Sequence, residues 1–216
     1  GLRRAEQTIL DHPDGKGPGV SMAKGSTLDG FTVTGVGRYD DAKWKKHHAT
    51  QGNMQSHEHI GQPGTPGIEV REDCTVLNNI VHHIGYTGIG ITGAKDRKVS
   101  PRIFKNVCYR NMGGGIGSMK GSAALIEGNV CFENYYAGIG HNGASPKVRG
   151  NHCYGNIRAI LFSNKNTVTN MPIIGSIPMK FTILTILMIH HLLPLFVSNK
   201  TDEFRLSSFL SAQQTC

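Results

Sequence analysis

Polar and apolar residues alternate over short stretches of this chain. Between residues 26 and 35, Phe31 and Val33 alternate with two threonines, which is the period of a strand with one buried face. Residues 1–35 show no helical periodicity. A short apolar stretch then follows each of four asparagines that lie 22 to 27 residues apart, namely Asn79, Asn106, Asn129 and Asn151. The pattern therefore predicts many short strands arranged as a repeat.

The repeat has a second element at a constant distance from its leading asparagine. Nine residues after the first three asparagines the chain reads Gly-Ile-Gly, at 88–90, 115–117 and 138–140. A period of 20 to 30 residues with several short strands is typical of a parallel β-solenoid. Successive turns then lie roughly 4.8 Å apart, so that equivalent side chains stack. We predict one all-β domain of roughly six or seven turns over residues 1–168.

Stacking gives each repeated residue a structural role. Asparagines at corners tolerate the left-handed conformation, and their amides can bond to the asparagines above and below. We expect two such ladders, formed by Asn79, Asn106, Asn129 and Asn151 and by Asn111, Asn134 and Asn156. We expect inward-facing ladders of Ile89, Ile116 and Ile139 and of Val81, Cys108, Cys131 and Cys153. The cysteines are then reduced core residues, and the odd count of five argues against a disulfide framework.

Two segments depart from the repeat. Residues 36–66 form a polar, His-rich insertion that holds the single Trp, and we predict an irregular loop of the functional or disordered kind. Residues 169–216 form a non-repeat tail with an apolar tract at 181–197. That tract is at the lower limit for a membrane span and contains His190, His191 and Pro194. A terminal cap, a membrane segment and a sequence foreign to the repeat all stay open.

The charge of the chain limits which classes of binding partner are expected. The net charge of +8 is compatible with nucleic acid, an anionic membrane or an acidic polysaccharide. The Lys and Arg residues are scattered without a basic run, which argues against nucleic acid. Membrane contact is expected only through 181–197, and the oligomeric state stays open. No signal-peptide pattern occurs at Gly1, so we expect any targeting signal to lie outside this sequence.

The repeated phrases resemble a known family. The Asn-Val-Cys-aromatic and Gly-Ile-Gly phrases, with Ser-Pro at 100–101 and 145–146, resemble the right-handed parallel β-helix repeat proteins of the pectin-lyase-like superfamily, and NosD-like proteins in particular. The resemblance covers roughly residues 5–160. It implies a right-handed parallel β-helix and an extracellular or cell-envelope location. It implies no single activity, because the superfamily includes lyases, hydrolases, epimerases and non-catalytic modules.

No catalytic motif of the superfamily matches this chain residue by residue, so the candidates for chemistry on a uronate polymer are chosen by residue type. Such a reaction needs a cation for the carboxylate, a base and an acid. The candidate catalytic residues are Arg38, His57, His59 and Arg110. The candidate Ca²⁺ ligands are Asp40 and Asp41. The candidate substrate-binding residues, which we expect on outward faces of successive turns, are His82, His83, Glu133 and His141.

Two functions follow from these candidates. The first is a carbohydrate-directed β-helix that binds or modifies an extended, acidic polysaccharide along a side groove, with Ca²⁺ as the one cofactor considered. If it is an enzyme, it is a polysaccharide lyase, epimerase or glycoside hydrolase. The alternative is a non-catalytic repeat scaffold for protein or metal-related assembly. Contact between the insertion and Arg110, His82 or His141 in one cleft favours the enzyme.

Overall fold

The computed structural model describes residues 2–12, 16–50, 64–93 and 96–163. These residues belong to one compact unit, Gly1–Ser176. The described part of the chain contains two helices, α1 (Leu2–Ala5) and α2 (Asp41–Ala49), and seventeen short strands. The strands coil into a parallel β-solenoid of about six turns. The fold predicted from the repeat is therefore confirmed.

Three parallel sheets run along the solenoid, and each turn contributes one strand to each sheet, except that the last described turn contributes none to sheet C. Sheet A contains β1 (Ile9–Asp11), β4 (Thr32–Thr34), β7 (Ile80–His82), β10 (Val107–Tyr109), β13 (Val130–Phe132) and β16 (His152–Tyr154). Sheet B contains β2 (Val20–Met22), β5 (Ile68–Val70), β8 (Ile89–Ile91), β11 (Ile116–Met119), β14 (Ala137–Asn142) and β17 (Arg158–Ser163). Sheet C contains β3 (Thr27–Asp29), β6 (Thr75–Leu77), β9 (Arg102–Phe104), β12 (Leu125–Glu127) and β15 (Lys147–Arg149).

The core consists of side-chain ladders from all three sheets. In sheet A the residue in the middle of each strand faces inward, and Cys108, Cys131 and Cys153 pair in register below Val81. These cysteines are free thiols and are buried. In sheet B, Ile89, Ile116 and Ile139 lie in register and are fully buried. Both predicted apolar ladders are confirmed.

The two asparagine ladders are also present. Asn79 donates from its backbone N–H and from Nδ2 to Oδ1 of Asn106, at 3.0 Å in each case. Asn106 bonds in the same way to Asn129, and Asn129 to Asn151. Asn111, Asn134 and Asn156 form the second ladder. Each buried amide thus satisfies a backbone donor that the corner would otherwise leave unpaired.

The prediction that these asparagines adopt the left-handed conformation is wrong. The residue before each ladder position has the positive φ, for example Asn78 at 53° and Lys105 at 51°. At the second corner, His83, Arg110 and Glu133 occupy that position. The corner turns at this preceding residue, so the ladder asparagine keeps a conformation in which its amide points along the solenoid axis to the next turn. The left-handed residue directs its own side chain outward.

The first glycine of each Gly-Ile-Gly is required by close approach. A Cβ on Gly115 would lie 2.7 Å from the carbonyl oxygen of Gly138 and 3.0 Å from Nδ2 of Asn134. Gly88 and Gly138 meet equivalent neighbours. None of these three glycines has a positive φ. They therefore allow the second asparagine ladder to pack directly against sheet B.

Part of the insertion is regular, which the prediction of an irregular loop missed. Helix α2 begins after Asp40, whose Oδ1 accepts a hydrogen bond of 2.9 Å from the backbone N–H of Lys43. This is an N-cap. The helix was hard to predict because Trp44 is its one buried residue among the side chains that the structure describes, so it has no apolar periodicity.

The tail prediction concerns residues outside the described part of the chain, and so does the apolar tract at 181–197. The division into a domain at 1–168 and a tail at 169–216 therefore stays a prediction. Within the described ranges, neither helix has the length and apolar character needed to cross a bilayer.

Candidate functional site

Helix α2 lies against the corner between sheets A and B. Trp44 is 5% exposed and packs with Met112 and Tyr135, and Tyr39 and Tyr136 flank this group. The backbone N–H of Asp40 donates to Sδ of Met112 at 3.4 Å. The insertion therefore contacts the solenoid corner, which is the condition expected from the sequence to favour an enzyme.

Five polar residues meet at this corner, and we call them the corner cluster: Tyr39, Asp41, His83, Arg110 and Glu133. Nε of Arg110 donates to Glu133 at 2.9 Å. The Tyr39 hydroxyl donates to Asp41 at 3.2 Å, and its ring packs edge-on against His83 with centroids 4.6 Å apart. Burial, with the nearby carboxylate of Asp41, raises the pKa of Tyr39. The hydrogen bond to Glu133 raises the pKa of Arg110, so both groups keep their usual protonation state.

Beside the corner cluster, the last residues of the sheet A strands form an outward stack. His82, Tyr109, Phe132 and Tyr154 follow one another, and the rings of Tyr109 and Phe132 lie 4.9 Å apart and parallel within 5°. Nδ1 of His82 lies 2.7 Å from Nδ1 of His83. Burial, together with the neighbouring His83, lowers the pKa of His82 to about 4. The faces of the stacked rings cover one another, which leaves mainly their edges for a ligand.

The predicted Ca²⁺ ligands have protein partners. Asp40 caps helix α2, and Asp41 accepts from Tyr39 and pairs with Lys45 at 2.6 Å. The hydrogen bond from Lys45 lowers the pKa of Asp41. Within the described ranges no three His, Cys, Asp or Glu side chains are grouped so that they could hold a metal ion. Both carboxylates therefore have a structural role that explains them without a metal.

His141 does not lie on an outward face as expected. It follows Ile139 by two positions in β14, which gives it the same inward orientation, and it is 3% exposed. Burial lowers its pKa. The expectation was wrong because β14 continues to Asn142, so the alternation that buries Ile139 also applies to His141.

A shallow groove crosses the outer face of sheet B beside the corner. Its floor is Gly117 and Gly140, which pair in register. Its volume is about 170 Å³. The lining consists of Thr87, Gly114, Ile116, Gly117, Met119, Tyr136, Ala137, Gly140, His141 and Asn142. Asn142 is exposed, and Tyr136 and Met119 are half-buried.

Glycine in the second place of Gly-Ile-Gly creates this groove. The alternation of β11 and β14 points this residue outward, where any side chain would fill the space. Towards the preceding turn the floor ends, because a Cβ on Gly90 would lie 2.8 Å from Cβ of Pro66. The groove therefore spans two turns and is bounded by the end of the insertion.

The structure brings some predicted site residues together and leaves others apart. Arg110, Glu133, His83 and Asp41 meet in the corner cluster, with His82 beside them and Asp40 at the start of α2. His141 borders the groove instead. Arg38 lies on the segment leading to α2, with its backbone against Gly85. His57 and His59 lie outside the described residues. The catalytic and binding roles of all these residues stay predictions.

Sequence reasoning missed the residues that form the groove. Tyr136 lies seven residues after the leading Asn129, and its backbone N–H donates to the carbonyl of Gly113 on the previous turn at 3.0 Å. The same position of the first copy is Tyr86, so an aromatic residue recurs there and Gly113 is the exception. Gly117 and Gly140 lie inside strands.

Coiled parallel sheets, stacked amide ladders and an outer groove define a β-helix. A family model described as "Right handed beta helix region" matches residues 49–176. This is more than half of the 216 residues, and the chain therefore belongs to the right-handed β-helix family. No curated protein and no solved structure matches it.

Proposed function

We propose that this β-helix binds a polysaccharide on the outer face of sheet B. The observation that carries the proposal is the groove floored by Gly117 and Gly140, with Tyr136 on one side and Asn142 on the other. A concave floor of backbone admits a flat ring close to the strands. An aromatic side chain and a few polar groups then provide contact area and orientation, as in ligand sites generally.

The small volume of the groove indicates that it contacts only a short part of a polymeric ligand. Its volume of about 170 Å³ is below the roughly 300–1,000 Å³ of pockets that enclose a drug-sized molecule. The groove therefore contacts a short stretch of a chain and leaves the rest in solvent. Binding by one such contact is weak, and repetition along a polymer raises the apparent affinity.

Binding is favoured over catalysis because the charged groups of the corner are already paired. Arg110 is bound to Glu133, Asp41 to Lys45 and Tyr39, and Asp40 to the backbone of α2. A general base or a carboxylate-neutralising cation must instead be available to substrate. The lyase, epimerase and hydrolase activities named for this fold are therefore the less favoured form of the proposal.

A different surface favours the alternative of a protein scaffold. The outer face of sheet A has apolar, half-buried residues at one position of successive strands, namely Ile80, Val107 and Val130. Next to them lie the rings of Tyr109 and Phe132. Apolar patches of this kind mark protein contacts when they are large.

Affinity electrophoresis in gels containing single polysaccharides tests the proposal, with Gly140→Val and Thr75→Val as a matched pair. A Cβ on Gly140 meets its nearest neighbour at 3.5 Å, so we expect the variant to fold with its side chain in the groove. Thr75 lies on sheet C, away from the groove. We expect retardation of the wild type and of Thr75→Val, and at least a tenfold weaker effect for Gly140→Val. Equal retardation of all three proteins contradicts the groove, and no retardation in any gel contradicts carbohydrate binding.

A further inference from the structure

We infer that the groove on sheet B takes an uncharged sugar unit, in contrast to the acidic polymer predicted from net charge. The inference rests on the proposed function, because it specifies the ligand of the same groove. It follows from the chemistry of the groove lining, from Glu69 beyond the end of the groove, and from the position of Lys120.

The lining offers hydroxyl, amide and aromatic groups without a charge, together with the imidazole of His141, whose pKa is lowered by burial. Tyr136, Asn142 and Thr87 supply the polar contacts, and no Lys, Arg, Asp or Glu is among the described residues that line the groove. A carboxylate that leaves water needs a cation or several strong donors to offset its desolvation. A sugar with hydroxyl groups alone needs only neutral donors and acceptors, which this lining has.

Beyond the boundary of the groove at Pro66, the same outward line of sheet B leads to an acidic residue. Glu69 pairs in register with Gly90 on the next strand, and it is therefore the next outward side chain along the line of the floor. Its charge is paired with Arg71 at 2.9 Å. A uronate polymer that extends along the solenoid past Gly90 would approach Glu69, a group of its own sign, which lowers its affinity.

The cation nearest to the lining in sequence is Lys120, which follows Met119. It is exposed and is not among the residues that line the groove, and its Cβ lies 3.4 Å from the position of a Cβ on Gly143. The net charge of +8 is therefore a property of the surface as a whole. It does not determine the sign of the ligand in the groove.

The test compares neutral and acidic oligosaccharides by calorimetry on the full chain. The neutral probes are xylo-, cello- and manno-oligosaccharides, and the acidic probes are oligogalacturonate and oligoguluronate. We expect at least tenfold tighter binding of one neutral series. We also expect its affinity to change less than twofold between about 0.05 and 0.5 M salt, since no ion pair forms.

Three variants test whether the measured binding occurs in the groove. Tyr136→Ala should weaken the neutral ligand at least tenfold, whereas Lys120→Ala should leave it unchanged. Glu69→Gln should raise the affinity for uronates severalfold and leave the neutral ligand unchanged. Preferential, salt-dependent uronate binding that is lost in Lys120→Ala overturns the inference while the proposed function stands. Absence of binding to every carbohydrate overturns both.

Discussion

The guanidinium of Arg110 lies over the indole ring of Trp44, with 5.4 Å between Cζ and the ring centroid. This contact joins helix α2 to the corner of the solenoid, and the ring of Trp44 also stacks on His48 at 4.5 Å. The wall residue Tyr136 packs against the same group. The insertion therefore supports one side of the groove.

We expect Trp44→Ala to release helix α2 without unfolding the solenoid. Removal of a buried aromatic side chain costs about 3–5 kcal/mol, and the asparagine ladders do not depend on it. Hydrogen exchange over Asp41–Ala49 should become fast, while exchange over β10 and β13 stays slow. Trp44→Phe is the control, because it keeps an aromatic ring at this position and removes only the larger indole, whose buried N–H has no acceptor among the described residues. Slow exchange of α2 in Trp44→Ala contradicts the docking.

The ion pair of Arg110 and Glu133 should contribute little to stability. Both side chains are more than a third exposed, at 38% and 36%, and exposed pairs contribute about 0–1 kcal/mol. A double-mutant cycle of Arg110→Ala and Glu133→Ala, measured by urea denaturation, should give a coupling energy below about 1 kcal/mol that falls with added salt. A larger, salt-independent coupling would show that the corner is shielded from solvent.

The asparagine ladder should contribute more to the free energy of unfolding than this ion pair does. Asn106 is fully buried and accepts from both the backbone N–H and Nδ2 of Asn79. Asn106→Ala leaves a buried backbone donor unpaired and removes side-chain hydrogen bonds, for a cost of about 2–4 kcal/mol. The control is Asn142→Ala on the exposed outer face, with an expected change below about 0.5 kcal/mol. Urea denaturation that ranks the two variants equally would contradict the ladder's contribution.

These features differ in how well the sequence predicts them. The ladders of Asn106, Cys131 and Ile116 were predictable because each turn repeats the same residue type at the same register. Helix α2 was not, because it occurs once and one buried aromatic residue gives no periodicity. Its docking also depends on residues far away in sequence, such as Met112 and Arg110.

The groove was unpredictable for a different reason. Gly117 and Gly140 belong to a phrase whose two glycines look alike in the sequence. Only the strand alternation separates them, since Gly115 faces a backbone oxygen and Gly117 faces outward. The position of Pro66 beside that floor follows from the length of the insertion, about which the repeat pattern carries no information. Tyr136 lies at a fixed position of the repeat, but that position holds tyrosine in two copies and glycine in the one between them.

The first and the second glycine of Gly-Ile-Gly should therefore respond differently to alanine, as Gly115 of one copy and Gly140 of the next can show. Gly115→Ala places a Cβ 2.7 Å from the carbonyl oxygen of Gly138, and overpacking of this kind costs about 1–3 kcal/mol. Gly140→Ala makes an ordinary contact of 3.5 Å with Ala137 and should leave the free energy of unfolding within about 0.5 kcal/mol of wild type. Equal melting temperatures for the two variants would show that the inner approach is looser than described.

The cysteine ladder should tolerate an apolar residue better than a hydroxyl. Cys131 is fully buried between Cys108 and Cys153, and its hydrogen bond with Cys108 and its burial raise the pKa of its thiol. Cys131→Ser should destabilise by about 1–3 kcal/mol through a poorly paired hydroxyl. Cys131→Val should cost less than about 1.5 kcal/mol, because Val81 and Val33 occupy the same ladder. An unchanged melting temperature for Cys131→Ser argues against burial.

Acid should destabilise the outward stack through His82. Its folded pKa is about 4, below the ordinary value of 6.5, so the unfolded chain binds more protons between these two pH values. The contribution of neutral His82 to the free energy of unfolding is therefore fully present above about pH 6.5 and is lost as the pH falls towards 4. Because the ring is partly exposed, we expect on the order of 1–2 kcal/mol after solvent screening.

Comparison with His82→Gln isolates this contribution from other acid effects. The pKa values of His83 and His141 are also lowered by burial. The wild type should therefore lose more stability in acid than protonation of His82 alone would cause. The difference in unfolding free energy between wild type and His82→Gln should shrink from pH 7 to pH 4.5, because only the wild type has this ring to protonate. A difference that is constant over this range would place the folded pKa of His82 near its ordinary value and contradict its burial against His83.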